Sequence, residues 1–215
     1  SKVFFSITNF FKQFESRAVR LLIGGLAIGT MLYFIPPLYG EGYGTINHLL
    51  DGNVENVLSR SFLWDAEAGL PTILALLAGL FLFKVLAASF TMNAGGVGGI
   101  FAPTLFMGSA LGLFFARVVN STGLATLPES NFVLVAMGGL MAGVLHSPLT
   151  AIFMIAEITG GYELFLPLML TAAIAYLITK GIDPHSIYTE QLARRGDLIT
   201  HNKDQTILTL MRTEQ

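Results

Sequence analysis

The chain has 215 residues, 53% of them hydrophobic and 12% charged, where a soluble domain carries roughly 25% charged residues. That shortfall excludes an ordinary water-soluble globule, and a formal net charge of -2 leaves no basic face for a nucleic-acid backbone. The absence of cysteine excludes disulfides, iron–sulfur ligation and thiolate chemistry, and four scattered histidines argue against a metal site and against a cofactor held by one.

In chain order, residues 1–16 mix Phe4, Phe5, Phe10, Phe11 and Phe14 with Lys2 and Lys12, the pattern of an interfacial or connecting segment and not of a cleavable signal. A transmembrane region is predicted over 17–180. It opens with a charge-free run from Leu21 to Tyr39, long enough to span a bilayer as a helix, which Pro36-Pro37 must stop. The stretch from Glu41 to Glu67 is acidic and polar, yet Ile46, Leu49, Leu50, Val54, Val57 and Leu58 recur at three and four, so short helices are expected inside it. Lysine and arginine gather at both ends of the chain, which places those ends in the cytoplasm and the acidic connection outside.

A second apolar run, Gly69 to Thr91, is interrupted only by Lys84 and leads into Gly95-Gly96-Val97-Gly98-Gly99, which disfavours a continuous helix. Further apolar pieces run from Ile100 to Val119, Phe132 to Leu145 and Leu149 to Ile178, the last interrupted between Glu157 and Glu163. Such pieces predict an all-α membrane protein of broken and re-entrant helices, tolerated where irregular backbone is buried or lines an aqueous cavity. Residues 181–195 are expected to start the last helix, and 196–215 to form a cytoplasmic tail or linker.

The break has a chemical consequence. Pro103 suits a first helical turn, so a helix is expected to begin near Ile100, with free N–H groups facing Gly98 and Gly99. Those donors and the positive end of the helix dipole would hold an anion without a charged side chain. The glycines could equally serve close helix packing.

Gly99-Ile100-Phe101-Ala102-Pro103 resembles the G-x-F-x-P signature of the CLC chloride channels and chloride/proton antiporters. Gly40-Glu41-Gly42-Tyr43, the run from Met141 to Ala151, the segment from Ile155 to Tyr162 and Ile187-Tyr188 are similar to CLC segments in the same order, so the resemblance covers nearly the whole chain. It implies that chloride is the transported ligand, bound by the backbone amides of Ile100 and Phe101 and by the hydroxyl of Tyr188. It also implies a homodimer in the cell (inner) membrane, packed through the helices that carry the small residues Ala151, Ala156, Thr171, Ala172, Ala173 and Ala175 together with the one near Leu21 to Tyr33, unless that small-residue face is subunit core. The family's G-S-G-I-P and G-K/R-E-G-P segments do not occur in this sequence. The chain is therefore expected to be the second inverted-repeat half of a CLC-type fold, whose partner is the missing N-terminal half of the same subunit.

Other polar residues have simpler expectations: a structural hydrogen bond for Glu157, a cap or junction role for His146, a solvated loop charge for Glu41, and for Lys84 either snorkelling or a place on an aqueous vestibule, where it would raise the local anion concentration. Two alternatives belong to other classes. A membrane-embedded enzyme would have to draw on Ser109, His146 and Glu157, which share no supporting motif; a non-transporting assembly subunit would need no site at all.

Overall fold

The computed structural model describes residues 2–61, 69–123 and 125–190. Among the described residues it contains nine α-helices: α1 Lys2–Lys12, α2 Arg17–Phe34, α3 Tyr43–Leu50, α4 Val54–Leu58, α5 Leu70–Ala94, α6 Phe101–Thr122, α7 Glu129–Leu145, α8 Pro148–Thr159 and α9 Phe165–Ile182. A 3₁₀ turn, Pro36–Leu38, follows α2. The segments Arg17–Phe34, Leu70–Ala94, Phe101–Thr122 and Phe165–Glu190 are long and apolar enough to cross a membrane, whereas α7 and α8, at 17 and 12 residues, are shorter.

The breaks fall where local chemistry requires them. α2 stops before Pro36 because proline has no N–H to continue the ladder. Gly95 closes α5 with a left-handed φ of 103°, a conformation that only glycine enters freely. Pro148 opens α8 at its first turn, where the missing N–H breaks no bond. His146 takes the left-handed position at the end of α7, at φ 57°, which bears out a junction role. The predicted interruption between Glu157 and Glu163 lies between α8 and α9.

α6 and α7 form the centre. Apolar side chains gain little by leaving lipid for protein, so association depends on how closely backbones can approach. A methyl group built on Gly112 would lie 2.5 Å from Phe132 O and 2.7 Å from Val133 Cα, and one on Gly108 would lie 2.5 Å from Met137 Cα. These glycines let the two helices touch. α9 packs on α7, where Thr171 and Thr179 fill the space above Gly139 and Gly143. α5 covers α6, and α2 crosses α5 where Gly24 meets Ala94.

Several expectations change. α6 is a continuous 22-residue helix and not one of the short pieces: the apolar run from Ile100 to Val119 is by itself about as long as a span needs, and the polar Asn120, Ser121 and Thr122 continue the helix past it. α1 is docked on α5 instead of lying free at an interface: Phe4, Phe5 and Phe11 are buried, and the Phe11 ring meets Phe90 at 5.9 Å, edge to face. The polar connection does hold two short helices, and Ile46, Leu49, Val54, Val57 and Leu58 enter the same core as α6 and α7. Ala151, Ala156 and Ala172 are buried within the subunit, so these members of the small-residue set are core. The exposed faces of α8 and α9 carry Leu149, Phe153, Leu166, Leu170, Ile174 and Leu177 instead.

Candidate anion site

The site is built by the passage from α5 to α6. Gly96 N–H donates to Thr91 O at 2.9 Å, and a side chain at Gly96 would collide with that same turn, 2.8 Å from Thr91 O. The chain then runs exposed through Gly98 and Gly99. Open space lies beside both: a Cβ on Gly98 would meet nothing within 4 Å, and one on Gly99 would meet only Phe101 N at 3.9 Å. Packing therefore does not explain these two glycines.

Ile100 caps α6 with no side-chain hydrogen bond, and Thr104 Oγ1 donates back to Ile100 O at 2.6 Å. The early N–H groups of a helix have no intrahelical acceptor. Pro103 contributes none, while the Phe101 and Ala102 N–H groups have no acceptor among the described residues. The Ile100 N–H points at Tyr188 Oη, 3.4 Å away across 88 residues of sequence. Of the two amides expected to be unpaired, Phe101 is and Ile100 is not, although its bond is long.

Tyr188 is placed by a short capped turn. Thr189 N–H donates to Ser186 Oγ at 3.3 Å, Glu190 N–H donates to Ser186 O at 2.9 Å, and Ser186 is buried. Ser186 is thus the N-cap of the helical turn that presents Tyr188, a role the proline before it obscured in the sequence. The turn is described to Glu190; the remainder of 181–195, and the tail 196–215, lie outside the described residues.

Next to the first turn of α6 is a cavity of about 580 Å³, lined by Gly98, Gly99, Phe101, Ala102 and Pro103 on one side and by α2, α5, the Tyr39–Glu41 turn and Tyr43 on the other. Lys84 also lines it. The snorkelling expected for Lys84 does not occur: the residue is 3% exposed, and its Nζ donates to Leu38 O at 3.0 Å and Gly40 O at 2.9 Å. Of the remaining candidates, Glu41 is exposed on the cavity's edge, while two stay apart: Ser109 is buried and donates to Phe106 O at 2.8 Å, and Glu157 is exposed on α8, where its side chain has no hydrogen bond among the described residues.

The family described as voltage gated chloride channel matches residues 1–180. The chain belongs to the CLC family. It is 36% identical over 183 residues to a ClcB-like chloride channel protein of Ralstonia nicotianae, covering 84% of this chain and 38% of that protein. It is 32% identical over 182 residues to the voltage-gated ClC-type chloride channel ClcB of Escherichia coli O81, covering 82% and 38%. The chain thus spans 38% of the length of these curated CLC relatives. The crystal structure of a slow cyanobacterial Cl⁻/H⁺ antiporter shares the fold, with a TM-score of 0.53 at 23% identity over 84% of this chain and 47% of that one. With its CLC membership and four apolar helical segments, this is an integral membrane protein.

Proposed function

We propose that the chain is the part of a CLC-type subunit that carries the G-x-F-x-P helix start, and that it binds and passes chloride or a similar small anion. The observation that carries this reading is the meeting of the Ile100 N–H with Tyr188 Oη at 3.4 Å, beside a Phe101 N–H without an acceptor and the open flank of Gly98 and Gly99. Backbone N–H groups and a phenol hydroxyl are neutral donors. They stabilise an anion by dipoles, strongly enough to admit it and weakly enough to release it, as conduction requires. An arriving anion would take the Ile100 N–H and turn the Tyr188 O–H toward itself, so the long bond between them serves as the resting closure of the site.

Gly98, Gly99 and Pro103 support this arrangement without touching the ion: the glycines leave room, and Pro103 fixes the first turn while removing a competing donor. The rest of the subunit supplies the remaining wall of the pore. The subunit pairs as a homodimer in a bacterial inner membrane. The reading is transport and not covalent catalysis, because Ser109 is committed to Phe106 O and Glu157 is exposed on another helix.

The test uses the full-length subunit containing this chain, purified in detergent and titrated with chloride by calorimetry, then reconstituted into liposomes for radioactive chloride uptake. A hydrogen bond to a charged group contributes about 1.5–3 kcal/mol, so Tyr188→Phe weakens chloride binding by at least about tenfold while the protein remains folded. Absence of saturable chloride binding in the unsubstituted protein refutes the reading.

A further inference from the structure

Two basic side chains lie on α5 and α6, and the protein treats them differently. Arg117, on α6, pairs with Glu129 on α7 at 3.2 Å and also donates to Gly52 O at 3.4 Å. Lys84, on α5, has no carboxylate within ion-pair distance among the described residues. Its neighbours are the carbonyls of Leu38 and Gly40 and the face of Phe106, whose ring centroid is 4.5 Å from Nζ. Carbonyl dipoles and a ring face hold an ammonium in place, but they carry no formal charge; among the described residues no ion pair neutralises Lys84, and the nearest carboxylate on the cavity wall is that of the exposed Glu41. A buried charge without an opposite charge is costly. It persists where something else answers it.

The wall Lys84 occupies indicates what does. The same 580 Å³ cavity is bordered by Gly98, Gly99 and Phe101, the residues at which α6 opens. We propose that Lys84 is the fixed cation of the anion route: held off the ion by its two carbonyl bonds, it sets the electrostatic depth of the cavity next to the first turn of α6. Tethering matters as much as charge. A free ammonium would reach the anion and hold it too tightly to release, whereas one bound to Leu38 O and Gly40 O acts at a distance through a low-dielectric wall. Lys84 is thus an affinity-setting residue that does not contact the ion. The inference rests on the anion-transport reading and goes beyond its amide and phenol ligands.

The experiment uses the full-length subunit in detergent, with chloride titrated by calorimetry and folding checked by thermal unfolding and elution as a single species. Lys84→Met keeps most of the aliphatic stem and removes the charge together with the two carbonyl bonds; chloride binding is expected to weaken about tenfold, and Lys84→Arg is expected to retain most of the affinity. Equal losses in the two variants mean that side-chain shape and not charge is at work, and overturn the proposal. So does a folded Lys84→Met protein that binds chloride like the unsubstituted one, the result expected if a carboxylate elsewhere in the subunit neutralises Lys84. Lys84→Gln decides the matter should Lys84→Met fail to fold. Its neutral amide keeps a donor on the same stem for the Leu38 and Gly40 carbonyls and removes only the charge. A loss of about tenfold supports the proposal, and unchanged binding overturns it. If the unsubstituted protein binds chloride and the variants match it, only the role of Lys84 falls; if the unsubstituted protein binds none, both readings fall.

Discussion

Single side chains determine how this chain turns corners. Asn120, near the end of α6, holds the approach to α7 from both sides: its Nδ2 donates to Leu127 O at 3.1 Å, and Leu127 N–H donates to its Oδ1 at 2.6 Å. Asn120→Ala removes both bonds at once, and at about 0.5–1.5 kcal/mol each the loss is about 1–3 kcal/mol, visible as a lower unfolding temperature in detergent. Asn120→Asp keeps the acceptor and loses the donor, so its effect should be about half as large. A role as a solvated loop residue would leave both variants at the stability of the unsubstituted protein. At the same scale, Ser186 positions Tyr188 and Thr104 closes back on Ile100 O. The two halves of the anion site are thus each braced by a hydroxyl within four residues.

Between elements, glycine sets the distances. Gly24 and Gly25 are neighbours in α2 with opposite surroundings: the first faces Ala94 of α5 closely, and the second has nothing within 4 Å. Gly112 resembles the first, since any side chain there meets the backbone of α7. Backbone cannot be moved aside like the end of a flexible side chain, so Gly112→Ala should separate α6 from α7 and cost about 1–3 kcal/mol. Gly25→Ala, on an open helix face, should be neutral or gain up to about 1 kcal/mol from helix propensity. Thermal unfolding of the two variants side by side checks this. Equal stability would mean that α6 and α7 do not pack through their glycines.

Over the whole molecule, the distribution of apolar surface shows where lipid and other protein must be. Leu22, Leu26 and Tyr33 on α2 and Leu166, Leu170, Ile174 and Leu177 on α9 are all more than half exposed, an arrangement stable only against a bilayer or another subunit. The chain has no cysteine, so in the full-length subunit, with any cysteine outside this chain replaced, one introduced by Ile174→Cys reports on the proposed homodimer. If the outer face of α9 is the subunit interface, mild oxidation should give a disulfide-linked dimer on a denaturing gel. Leu82→Cys, on an exposed part of α5, serves as the comparison and should stay monomeric; cross-linking of both or neither would remove α9 from the interface.

Much was legible in the sequence because it is local. Charge-free runs fix which segments can enter a bilayer, proline and glycine fix where a helix must stop, and Pro103 after a glycine run marks a helix start with free amides; each depends on residues within a turn or two, as does the motif that identified the family. The continuation of α6 to Thr122 was missed because polar residues at a helix end satisfy their hydroxyls on their own backbone, as Ser121 and Thr122 do, and so cost the helix little. Other features had no local signal. Nothing near Lys84 in sequence indicates that its ammonium ends on carbonyls 44 and 46 residues away, and nothing near Ile100 indicates that a phenol 88 residues on will meet its amide. Hydropathy and backbone strain act along the chain, so the sequence alone determined the spans and the breaks. Which donor faces which acceptor depends on surfaces that meet only after α2, α5, α6 and the Tyr188 turn have packed, and that pairing was decided by the tertiary structure.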